Sequence, residues 1–166
     1  KALEYYEKCY EIRKIVYANN LNHPAIATSL NNIGSVYKSK GDYDKALEYY
    51  EKCYEIRKIV YADNLNHPDI AISLNNIGSV YDSKGDYDKA LEFYEKCYKI
   101  AKIVYTNNLN HRNIAISLNN IGSVYDSKGD YDKALEFYEK CYEIRKIDYA
   151  NNLNHPAIAT SLNNIG

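Results

Sequence analysis

Ile26, Leu30, Ile33 and Tyr37 follow one another at spacings of four, three and four, which puts four apolar side chains on one face of a helix. Gly41 follows as a stop signal, and Asp42 is of the type that caps the start of a new helix. The next apolar set has two faces: Ala46, Leu47, Tyr50, Cys53 and Tyr54 on one, Tyr49, Ile56 and Ile59 on the other. Two apolar faces need two neighbours, so the second helix must pack on its own hairpin partner and on the first helix of the next hairpin. The pattern predicts helices over Pro24–Lys40 and Asp44–Tyr61.

The stretch from Ser29 to Ile56 returns almost letter for letter from Ser73 and from Ser117. Cys9, Cys53, Cys97 and Cys141 recur every 44 residues, as do Gly34, Gly78, Gly122 and Gly166, and Gly41, Gly85 and Gly129. A fixed period of this size is the mark of a repeat array. It predicts further pairs over Pro68–Lys84 with Asp88–Tyr105 and Arg112–Lys128 with Asp132–Tyr149. The expected organisation is a single array: a second helix without its first over 1–22, units over 23–66, 67–110 and 111–154, and part of a first helix over 155–166. With no initiator Met and a start in mid-unit, the chain reads as a fragment or excised piece. Copies this close arise by recent duplication or by design, and both readings stay open. The copies differ at few places: Thr28 against Ile72 and Ile116, Lys38 against Asp82 and Asp126, Arg57 against Ala101. His23, His67, His111 and His155 stand where each first helix opens, usually before a proline, and read as helix-opening residues without a catalytic or metal role.

Leu30, Ile33, Gly34, Tyr37, Ala46, Tyr50 and Cys53 match in order the signature of the tetratricopeptide repeat, and the Gly41–Ala46 turn resembles that family's interhelical turn. The small residues Gly34, Ala46 and Cys53 mark places where helix backbones approach closely. The unit is longer than the usual 34 residues and lacks the family's proline after the second helix, Lys58 standing in its register. In its IRK, HP-x-I-A and SLNN segments it is most similar to the kinesin light chain variety. The resemblance implies an all-α, right-handed superhelical solenoid of antiparallel helix hairpins, acting as a protein-interaction scaffold.

Composition narrows the function further. Net charge is −1 with both signs interspersed, which disfavours nucleic acid, and no apolar run is long enough for a membrane span. There is no CxxC, HExxH or Gly-rich phosphate loop, and no serine has a positioned His and acid, so no enzyme activity and no cofactor or metal are expected. The 20 tyrosines sit at repeated positions suited to packing a ring while the hydroxyl reaches a polar partner. Equivalent cysteines of stacked hairpins lie about 8–10 Å apart, beyond the ~7 Å limit for a disulfide. Small, buried, reduced thiols are expected instead, in keeping with a cytoplasmic setting.

Within the family, ligand peptides lie along the concave face made by the first helices. The resemblance places Asn31, Asn32 and Ser35, Asn75, Asn76 and Ser79, and Asn119, Asn120 and Ser123 in that groove, with Thr28 and Lys38, Ile72 and Asp82, and Ile116 and Asp126 beside them. Asn32, Asn76, Asn120 and Asn164 occupy the register of the asparagine ladder of the O-GlcNAc transferase repeats. Side-chain amides both donate and accept, so a row of them can pair with an extended peptide backbone without reading its sequence. Solvated amides copied passively with the repeat are the alternative. The lysines with which co-chaperone members grip a terminal carboxylate are replaced by Asn31 and Ser35, and Asp82 and Asp126 favour a neutral or mildly basic peptide. A different class of function is head-to-tail self-assembly. The Ile158, Leu162 and Ile165 face of one copy would meet the Leu3, Tyr6 and Tyr10 face of the next, unless the two ends fray.

Overall fold

A computed structural model describes residues 1–166 as eight helices without a strand: α1 (Ala2–Val16), α2 (Pro24–Ser39), α3 (Tyr43–Val60), α4 (Pro68–Ser83), α5 (Tyr87–Val104), α6 (Arg112–Ser127), α7 (Tyr131–Asp148) and α8 (Pro156–Ile165). α2 with α3, α4 with α5 and α6 with α7 form hairpins, and each second helix also packs on the first helix that follows it. The result is an open solenoid.

Each turn is specified locally. Inside the first hairpin, the Gly41 N–H bonds the Lys38 carbonyl and the Asp42 N–H bonds the Tyr37 carbonyl, two bonds that satisfy the end of α2. Closing them needs a left-handed residue, and Gly41 supplies it at φ +77°. The Asp42 carboxylate then accepts from the Lys45 N–H at 3.3 Å and caps α3. Between hairpins the cap is histidine: Nδ1 of His67 accepts the Asp69 N–H at 3.1 Å, and its ring stacks on Tyr61 at 3.5 Å. Tyr17 with His23, Tyr105 with His111 and Tyr149 with His155 repeat this stack. Each ring pair ties the end of one hairpin to the start of the next.

The core is a chain of small clusters that alternate within and between hairpins. Ile26, Ala27 and Leu30 of α2 close on Cys53 of α3, whereas Ala46, Leu47 and Tyr50 of α3 close on Ile77 and Val80 of α4. A methyl group on Gly78 would sit 3.0 Å from the Tyr94 ring and 3.2 Å from Cβ of Phe93. The small residue therefore admits a tyrosine ring, where the sequence suggested a meeting of two backbones. Tyr37 also stacks on Tyr49, Tyr81 on Phe93 and Tyr125 on Phe137, which accounts for much of the aromatic content. Ile59 departs from the expected second apolar face. It and its copies Ile103 and Ile147 are exposed, because they lie in the last turn of α3, α5 and α7, past the packed part of the neighbouring helix.

His67→Ala removes both a helix cap and a stacked ring, and its expected cost is about 1–2 kcal/mol. His67→Asn restores the cap alone and should recover roughly 1 kcal/mol of that loss. Equilibrium urea unfolding of the two variants checks both values.

Candidate functional site

The first helices line up on one face of the solenoid, and their asparagines hold them in register. Nδ2 of Asn76 in α4 donates to Oδ1 of Asn31 in α2 at 2.8 Å, Asn120 in α6 donates to Asn75 at 2.8 Å, and Asn164 in α8 donates to Asn119 at 3.0 Å. These six side chains are half-buried. Each bond spends one of the two N–H groups on the donor amide, and the other N–H and the donor's own Oδ1 remain for a further partner. The Asn pair of each unit thus serves as a structural bridge and as a polar surface at once.

Serine and charge decorate the same face unevenly. Lys38 donates to Ser79 Oγ at 3.0 Å across the α2 and α4 boundary, and Ser79 in turn donates to the Asn76 carbonyl at 2.8 Å. Ser35 lies beside the Tyr50 hydroxyl and Ser123 beside that of Tyr138. Burial pushes the Asp82 carboxyl above the usual carboxylate range, while Lys38 pulls it the other way. Burial chiefly, and then Asp82, raise the Tyr94 phenol. Ile72 and Ile116 stand exposed at 48% and 44%. The assembly can hydrogen-bond a backbone and seat apolar side chains. No group of three or more His, Cys, Asp or Glu side chains is placed to hold a metal ion.

A feature that spacing did not bring out lies behind this face. Nη1 of Arg57 in α3 bonds the Asp69 carbonyl at 2.8 Å and Ser73 Oγ at 2.9 Å, fastening the first turns of α4. Arg13 grips Ala25 and Ser29, both at 2.8 Å, and Arg145 grips Ala157 at 3.0 Å and Ser161 at 2.8 Å. The repeated IRK and the serine sixteen residues after its Arg were the available signal. The cysteines pack at the same junctions. Cys53 meets Ser73 Oγ at 3.8 Å, all four thiols are free, and burial raises those of Cys53, Cys97 and Cys141.

The residues expected to form the two ends divide. Leu162 is 51% exposed, whereas Leu30, its copy in the first full unit, is 2% exposed, and Tyr6 is 39% exposed. Leu3 and Ile165 are half-buried. Tyr10 packs on the Ile26, Ala27, Leu30 and Cys53 cluster, and Ile158 is buried where α8 meets α7. Ile158 therefore belongs to the interior and half-buried Tyr10 packs against that interior, because each faces the helix that is already its neighbour.

Asn120→Ala strands the Asn75 oxygen and should lower stability by about 1 kcal/mol. Asn32→Ala, at a position that makes no such bond to another helix, should cost less than about 0.5 kcal/mol. Thermal unfolding of the pair reads the difference.

The family model for the tetratricopeptide repeat matches residues 1–59, 62–103 and 104–147. Among solved structures, BtubC (BKLC) from P. vanneervenii is similar at 25% identity and a TM-score of 0.74, over 84% of this chain and 55% of that one. The chain thus spans about half the length of BtubC. The nearly identical TPR-like repeats of a Podosopora anserina protein described as a kinesin light chain are similar at 22% identity and a TM-score of 0.75, over 98% of this chain and 74% of that one. The N-terminal domain of stress-induced protein-1 from C. elegans is similar at 16% identity and a TM-score of 0.56, over 80% of this chain and 97% of that one. No curated protein matches the chain.

Proposed function

Since the chain belongs to the tetratricopeptide repeat family, whose repeats generally mediate protein–protein interaction, we propose that it is a scaffold holding an extended peptide along the face of α2, α4, α6 and α8. The observation that carries this reading is the asparagine ladder, whose amides are held in place by bonds between units and keep donors and acceptors to spare. Amides already fixed lose little freedom when a ligand arrives, which favours binding. Asp82 and Asp126 beside the ladder suit a neutral or mildly basic peptide. Binding, without chemistry, is the role. No helix is long and apolar enough to cross a membrane, and four free thiols suit a reducing compartment such as the cytoplasm.

Because Asn76 and Asn120 also brace the solenoid, the cleaner test places charge on exposed neighbours. Ile72→Lys with Ile116→Lys should weaken binding of a selected library peptide at least tenfold, with stability shifted by less than about 0.5 kcal/mol. Unchanged affinity in calorimetry would remove the peptide from this face.

A second reading is favoured by the exposure of Leu162 and Tyr6. In the 166-residue polypeptide, α8 of one copy packs on α1 of another and so completes a hairpin. Light scattering over a concentration series should show growth that Leu162→Glu abolishes; a monomer at every concentration excludes it.

A further inference from the structure

Three of the four junctions between hairpins are filled by an arginine from the preceding second helix, and the fourth is not. At the α5 and α6 junction the position of Arg13, Arg57 and Arg145 is held by Ala101. The groups that receive the guanidinium elsewhere are kept: the carbonyl at 113 and Ser117 Oγ stand where Arg57 meets the carbonyl at 69 and Ser73 Oγ. They are also set as elsewhere. Ser117 donates to the Asn113 carbonyl at 3.0 Å, just as Ser73 and Ser161 donate to theirs at 3.2 and 3.1 Å while accepting from Arg57 and Arg145.

What the missing side chain leaves is a half-open cavity of about 240 Å³, with Cys97, Ala101 and Val104 of α5 as its floor and α4 and α6 as its walls. Ile72 and Ile116, both lining it and both exposed, stand at its mouth on the face where the peptide lies. Cys97 is 6% exposed where Cys53 and Cys141 are wholly covered, as the gap predicts.

We propose that this cavity takes the arginine side chain of a bound peptide. The side chain enters between Ile72 and Ile116, lays its methylenes on the apolar walls and gives its N–H groups to the Asn113 carbonyl and Ser117 Oγ. The inference rests on the groove reading of the preceding subsection. The chain itself puts a guanidinium on the same two kinds of acceptor at three junctions. A neutral setting is sufficient: Arg13 and Arg145 grip next to Ala25 and Ala157, where the second unit has Asp69. A lysine fits less well, because its ammonium is a compact, strongly hydrated charge that gives up more water in an apolar cavity. One such cavity in an otherwise repetitive groove would set the register of a ligand whose backbone the asparagines hold without regard to sequence.

The test compares capped heptapeptides that differ only in a central Arg, Lys or Leu, on the wild type, on Ala101→Arg and on Ser117→Ala, by calorimetry. Methylguanidinium and methylammonium serve as small probes, followed by NMR shifts at Asn113 and Ser117. Wild type should bind the Arg peptide at least tenfold more tightly than the Lys and Leu peptides. Ala101→Arg, which recreates an arrangement present at the other junctions, should erase that preference, and Ser117→Ala should reduce it. Methylguanidinium alone should move the two resonances in wild type and not in Ala101→Arg. Peptides that bind with equal affinity, a preference for Leu, or a preference that survives Ala101→Arg would overturn the guanidinium site while leaving the groove intact. Failure of every peptide, together with a methylguanidinium response confined to wild type, would uphold the cavity and reject the groove.

Discussion

A hairpin of this chain has two apolar faces on its second helix and can cover only one of them from within, so the junction to the next hairpin is the interaction on which the solenoid depends. Beside the asparagine bridge and the Lys84–Asp44 ion pair, three kinds of contact close it. Ala46, Leu47 and Tyr50 supply apolar area against Ile77 and Val80. The Tyr61 and His67 stack fixes how the chain enters the new hairpin, and Arg57 fastens the first turns of α4 through the Asp69 carbonyl and Ser73. The apolar contact holds the helices together, and the two polar ones join the asparagines in setting their register. Apolar side chains of similar volume exchange at modest cost; a guanidinium bonded to one carbonyl and one hydroxyl is more specific.

The helices were legible in the sequence because their apolar residues keep a helical period and their ends carry recognisable signals. Gly41 and Asp42 mark the turn between α2 and α3, and the expected Pro24–Lys40 differs from α2 by one terminal residue. The histidines were legible as openers, but the capping role of Nδ1 and the ring stack were not. Histidine is outside the usual set of capping residues, and its partner Tyr61 lies across a loop. The asparagine bridges were hidden for a related reason. Asn31 and Asn76 are 45 positions apart, one more than the repeat, so they pair unlike members of the NN pair and can be found only once α2 and α4 are side by side. The change from Arg57 to Ala101 was plain to read, yet its meaning was not, since the acceptors stand 12 and 16 residues further on in a different helix.

In an array of near-identical units, the few departures carry what distinguishes one part of the surface from another. Lys38 becomes Asp82 and Asp126, and the face passes from a lysine held by Ser79 to carboxyls, of which burial opposes the ionisation of Asp82. Thr28 becomes Ile72 and Ile116, and two exposed apolar side chains come to flank the one junction that lacks its arginine. The changes coincide. The pair of isoleucines and the alanine belong to the same opening.

That coincidence has an energetic side. The α5 and α6 junction keeps its tyrosine and histidine stack and its apolar cluster, and Asn113 adds a bond to the Tyr105 hydroxyl at 2.7 Å. It lacks the arginine's charge-assisted bonds, each worth about 1.5–3 kcal/mol where it is made, and keeps the Lys128–Asp88 ion pair at 2.6 Å. Among the four joints it is the one without a guanidinium. A ligand whose guanidinium filled the cavity would supply bonds to α6 while its methylenes pack on α5, and binding would then stiffen the solenoid as well as occupy its surface. The free energy of the two events is shared: whatever the ligand adds to the joint appears as affinity, and a mutation that supplies the arginine from within removes both the vacancy and the gain.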